Sequence, residues 1–160
     1  MTTCINSYVS HKTKYREKAE ELASSFSSFN NAVSVTLHFN ESLQGKNFNT
    51  GLRLQKANKR LFRNLEKLIF KRQRDRLKRV VITEKKLTSR NHLHALIQIP
   101  EDETYQSFVA KLWLASSKTN ETLANTLHTE WIYSKKQLVS YVTKESMFDI
   151  DNIDVLISRY

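Results

Sequence analysis

The sequence predicts an α+β fold built on an antiparallel sheet, and three observations carry that expectation. Four segments, AVSVTLHF, LKRVVITE, NHLHALIQI and LHTEWIY, have the alternating or β-branched character of strands. Two of them are separated by six residues, KKLTSR, a spacing that makes an antiparallel hairpin. Segments with helical spacing lie between the others, and strands gathered into hairpins with helices interposed mark α+β rather than a parallel α/β arrangement.

Each element has its own warrant. Residues 13–29 are rich in Lys, Glu and Ala and carry Leu22, Phe26 and Phe29 on one side of a helix. In the strand 32–39, Val33, Val35 and Leu37 face one way and Ser34, Thr36 and His38 the other. After the polar stretch NESLQGKNFNTG comes a long helix over 52–74, with Leu54, Ala57, Leu61, Leu65 and Leu68 spaced 3, 4, 4 and 3 and Phe62 and Ile69 widening the stripe. Strands follow over 77–84 and 91–99, the second ended by Pro100. A helix over 103–117 buries Phe108, Leu112 and Trp113, a strand covers 127–133, and Ser134 caps a helix over 135–145. The tail FDIDNIDVLISRY fits either a short helix or a last strand.

Composition bounds the function. The 160 residues suit a single domain. The formal charge is +10, and residues 53–79 alone hold twelve Lys and Arg against Glu66 and Asp75, so the rest of the chain sums to zero. Charge gathered in one stretch points to a polyanion, most often nucleic acid, against the plainer alternative of a solvated helix face. Two glycines cannot form a P-loop or a dinucleotide fingerprint. The single cysteine, Cys4, permits no internal disulfide and fits a reducing compartment. With no long apolar run and no secretory leader, a cytoplasmic location without membrane contact is expected.

The chemistry is concentrated in two places. His92 and His94 stand at i and i+2 of a strand, on one face and about 7 Å apart. If the hairpin turn centres near Thr88, Glu84 lies directly opposite His92. Two imidazoles and a carboxylate with open positions would hold a divalent cation; manganese or magnesium suits a phosphate-handling site, and zinc or iron also fits. In the helix SKKQLVSYVTKES, Tyr141 and Lys144 are neighbours at i and i+3. An ammonium beside a phenol favours the phenolate, the nucleophilic form. Taken singly, an HxH pair or a helical tyrosine is more often structural than catalytic.

Together these residues resemble the HUH endonuclease superfamily, and within it the single-tyrosine rolling-circle replication initiators, or Rep proteins. VTLHF (35–39) looks like the first motif, NHLHALIQIP (91–100) the His-hydrophobic-His motif and YVTK (141–144) the Tyr-x-x-Lys motif, in the expected order. The resemblance covers about residues 32–146. It implies a central antiparallel sheet of about five strands flanked by helices, a relative of the ferredoxin-like fold. It implies a nickase-ligase, a metal-dependent endonuclease acting on single-stranded DNA at an origin hairpin, with Glu84, His92 and His94 holding Mn²⁺ or Mg²⁺. Tyr141 would form a 5′-phosphotyrosine link, assisted by Lys144, and reversal would rejoin strands. A host helicase and polymerase would be partners in rolling-circle replication of a plasmid or virus. DNA contacts would come from His38, Asn40, Lys78, Arg79, Lys85, Lys86, Arg90 and Asn91, and the basic helix would follow the backbone. The helix at 52–74 and the one before the first strand are additions to the family pattern. Alternatives are a relaxase or single-tyrosine transposase of the same superfamily, and a non-catalytic nucleic-acid-binding module.

Overall fold

The computed structural model describes residues 31–45, 48–71, 74–84, 90–134, 136–137 and 153–157. Five strands, β1 (Ala32–His38), β2 (Arg79–Glu84), β3 (His92–Gln98), β4 (His128–Ile132) and β5 (Ile153–Ile157), form one sheet in the order β4-β1-β3-β2-β5. Every neighbouring pair is antiparallel. Two α-helices are described, α1 (Phe48–Phe70) and α2 (Tyr105–Ser117). The expected α+β architecture is therefore the one observed, and the tail supplies a strand. The helix expected at 13–29 lies outside the described residues, as does all but residues 136 and 137 of the one expected at 135–145.

Alternation along the strands decides which face receives the helices. Val33, Val35 and Leu37 of β1, Leu93, Ala95 and Ile97 of β3, and Val81 of β2 are buried on one face. Against them α1 presents Leu54, Ala57, Leu61, Leu65 and Ile69 at helical spacing, widened by Phe62, and α2 presents Phe108, Leu112 and Ala115. The opposite faces of α1 expose Arg53, Lys56, Lys59, Arg60, Arg63 and Lys67 to solvent. An amphipathic stripe that covers a sheet on one side and carries cations on the other accounts for a 23-residue helix of low mean apolarity. Helix α1 is tied to the turn just after α2, where Asn64 Nδ2 donates to Thr119 Oγ1 at 3.1 Å.

The element ends differ from expectation for local reasons. Helix α1 starts at Phe48 rather than residue 52, because Gly51 is taken into the helix instead of ending the loop before it. It stops at Phe70 rather than 74, where Lys71 turns left-handed (φ 54°). The chain is then drawn back by Glu66. That buried carboxylate accepts the Leu77 backbone N–H (3.2 Å), and pairs with Arg76 (3.0 Å) and Arg79 (2.5 Å). Arg79 lies over the Phe62 ring, 4.3 Å from its centroid. In α2 the cap is Thr104, whose hydroxyl accepts the Ser107 N–H at 3.1 Å. Trp113, expected in the core, falls off the Phe108–Leu112–Ala115 stripe and is half exposed.

Candidate metal centre

Strand register brings the polar residues of three strands to one place. The β2–β3 ladder pairs Glu84 with His92 and Ile82 with His94. The β1–β3 ladder pairs His38 with His92 and Thr36 with His94. Directly paired residues share a face, and this is the face away from α1 and α2. His128 of β4 pairs with Thr36 and joins the same face, so four of the chain's five histidines stand on it.

Glu84 is the hub. Its Oε2 lies 3.0 Å from His92 Nε2 and 3.2 Å from His94 Nε2. The three residues each offer a ligand atom within 4.8 Å of the others, and Glu84 and His94 are buried. This group could hold a metal ion. The outer nitrogens are also engaged: His92 Nδ1 is 2.9 Å from the Arg90 carbonyl, and His94 Nδ1 is 3.3 Å from Thr36 Oγ1. His38 stacks on His92, with ring centroids 4.8 Å apart and planes at 20°.

The donor set itself tests whether a cation fits. A carbonyl oxygen only accepts, so His92 must donate Nδ1–H to Arg90. In the neutral ring the Nε2 lone pair then faces the Glu84 carboxylate at 3.0 Å. Two electron pairs in that position require either a proton or a metal ion between them. His94 is held below the usual imidazole range, first by burial and then by His92 and His38, against the opposing pull of Glu84. His38 is lowered too, by burial, then by His92 and Arg90. Neutral imidazoles are the form that ligates metal.

The residues expected to touch DNA separate into distinct groups. His38 and Arg90 lie beside the metal group, Arg90 exposed and 3.8 Å from Glu41. Asn40 caps the short 3₁₀ turn Glu41–Leu43, accepting the Ser42 N–H, and donates Nδ2–H to the Asn120 carbonyl. Lys78 is half-buried just before β2, at the end of that strand away from Glu84. Two expectations are corrected. Asn91 is fully buried and donates Nδ2–H to the Leu43 and Gly45 carbonyls, so it positions the loop before α1 instead of meeting DNA. Arg79 points to the helix side, where Glu66 and Phe62 hold it. Lys85, Lys86, Tyr141 and Lys144 lie outside the described residues.

Two features of the site escaped sequence reading. Thr36 reaches the cluster, and His128 the same sheet face, through β1 pairings with strands far away in sequence. The only signal was that Thr36 and His38 share the non-core face of their strand. Comparison with protein-family models, with curated proteins and with solved structures finds no match to this chain.

Proposed function

We propose that the protein is a metal-dependent endonuclease and strand transferase that nicks single-stranded DNA at a replication origin. The observation that carries the reading is the meeting of Glu84, His92 and His94 on one sheet face, in the register that makes two imidazoles and one carboxylate converge. The resemblance of the YVTK segment to the Tyr-x-x-Lys motif supplies the nucleophile. The oxygen in the donor set favours Mn²⁺ or Mg²⁺ for handling phosphate.

In this reading Glu84, His92 and His94 would hold the cation, which when bound would supply Lewis-acid polarisation of the scissile phosphate. Thr36 and the Arg90 carbonyl hold the outer imidazole nitrogens and so orient both rings. Tyr141 Oη attacks phosphorus as its proton leaves to solvent. The P–O3′ bond breaks, the departing O3′ takes a proton, and the 5′ side stays on the tyrosine. Lys144 favours the phenolate by its charge. Attack by a later 3′-hydroxyl reverses the exchange and rejoins strands without an external energy source.

The test uses labelled single strands carrying origin-like hairpins, incubated with Mn²⁺ or with EDTA and resolved on a denaturing gel. A covalent adduct that needs the cation and disappears in Tyr141→Phe is expected. No adduct from any such substrate, or an adduct that survives Tyr141→Phe, refutes the proposal.

A further inference from the structure

At the far end of β2 from the metal group lies a second polar feature. The last turns of α1 and the segment 74–76 enclose a cleft of about 480 Å³. Among the described residues Arg63, Lys67, Lys71, Arg74 and Arg76 line it, with Glu66 and Asp75 as the acids. Glu66 is committed to Arg76, Arg79 and the Leu77 N–H. Arg63, Lys67, Lys71 and Arg74 have no carboxylate partner among the described residues. The described lining residues therefore sum to +3, five cations less two acids. Four of its cations owe their positions to the fold rather than to ion pairs.

Its construction is specific. Arg63, Lys67 and Lys71 follow one another at i+4 along α1 and its end, a row with steps of about 6 Å. Glu66 folds the next segment back so that Arg74 and Arg76 face that row. Lys71 adopts φ 54°, the left-handed position at a helix C-terminus where glycine is ordinarily favoured. A lysine there retains a cation at the lip of the cleft where glycine would relieve backbone strain.

We infer that this cleft binds the phosphodiester backbone of duplex DNA flanking the segment that is nicked. Among the described residues the lining includes no aromatic side chain, the platform on which single-strand binders stack successive bases. Cations alone recognise phosphate and carry no sequence information. The cleft lies on the helix side of the sheet. The length of β2 separates it from Glu84, five residue steps or about 17 Å. At 3.4 Å per base pair that is about five base pairs. A strand lying at the metal group and a duplex in the cleft are thus separate engagements. The inference rests on the nucleic-acid reading above and is independent of the tyrosine chemistry.

The experiment measures anisotropy of a labelled 20-base-pair duplex of arbitrary sequence over a range of salt. The whole chain is compared with a cleft variant, Lys67→Gln/Lys71→Gln/Arg74→Gln, and with a control of equal charge loss, Arg53→Gln/Lys56→Gln/Lys59→Gln. Loss of three phosphate contacts should flatten the slope of log K against log salt by about 2–3, and the control should change it by less than 1. Equal loss in both variants, or none in the cleft variant, overturns the proposal. Lys71→Gly gives a second arm: a higher melting temperature with weaker duplex binding is expected, and unchanged binding removes Lys71 from the contact. If the cleft fails while the Mn²⁺-dependent adduct forms, only the cleft proposal falls. If wild type binds no duplex while the adduct forms, the cleft proposal likewise falls alone.

Discussion

Thr36→Val isolates what the neighbouring strand contributes to the metal group. The substitution exchanges a hydroxyl for a methyl, keeps β-branching and leaves the strand's preference intact. The hydroxyl lies 3.3 Å from His94 Nδ1, while Nε2 of the same ring lies 3.2 Å from Glu84. With Nε2–H donating to the carboxylate, Nδ1 is an acceptor and Thr36 donates. With Nε2 turned to a cation, the ring proton must move to Nδ1, and Thr36 accepts. A hydroxyl serves both states and a methyl neither. Loss of such an outer partner of a ligand costs about 10- to 100-fold in metal affinity, or about 1.4–2.7 kcal/mol. Fold stability should fall by only about 0.5–1.5 kcal/mol, the net worth of one hydrogen bond. Titration of Mn²⁺ by calorimetry, beside a urea melt in EDTA, separates the two effects. Thr36→Ser should recover most of the affinity. A Thr36→Val protein that binds Mn²⁺ as wild type does would refute the assigned role of the hydroxyl.

Other outcomes are expected from the same geometry. Glu84→Ala removes the only carboxylate of the ligand group and should weaken Mn²⁺ binding beyond the Thr36→Val loss; equal affinity would show that the cation sits elsewhere. His38 and His94 both have folded-state values below that of the free imidazole, mainly through burial. The unfolded chain therefore takes up protons first as the pH falls below about 6.5, and the stability these groups give above that value is lost toward their folded values. Melting temperatures in EDTA should drop between pH 7.5 and 5.5, and a smaller drop in His94→Gln would locate part of the effect. Leu61→Ala empties a fully buried position between α1 and the sheet and should cost about 2–5 kcal/mol in urea unfolding.

How far the sequence reaches follows the range of the contacts. The Glu84–His92 pairing is readable because six residues and a short turn determine a hairpin's register, and the alternation of NHLHALIQI places both histidines on one face. The core stripe of α1 is readable for the same local reason. The stacking of His38 on His92 is not, since it depends on β1 finding β3 across fifty-four residues. Asn91 and Arg79 look like surface polar residues in the sequence. Their partners, the Leu43 and Gly45 carbonyls and Glu66, come close only after α1 has packed. The basic stretch is visible in the sequence but its division is not, because that required Glu66 to fold the segment after the helix into a cleft.

The strand order has a consequence for the timing of synthesis. Among the described strands, the two at the sheet's edges, β4 and β5, are made last and the three between them first. Glu84, His92, His94, Thr36 and His38 all belong to the interior three. The complete ligand group has therefore left the ribosome once residue 94 is clear of the exit tunnel, with both edge strands still to come. A cation taken up at that stage would clamp β2 and β3 together and protect a bare three-stranded sheet during its most exposed interval.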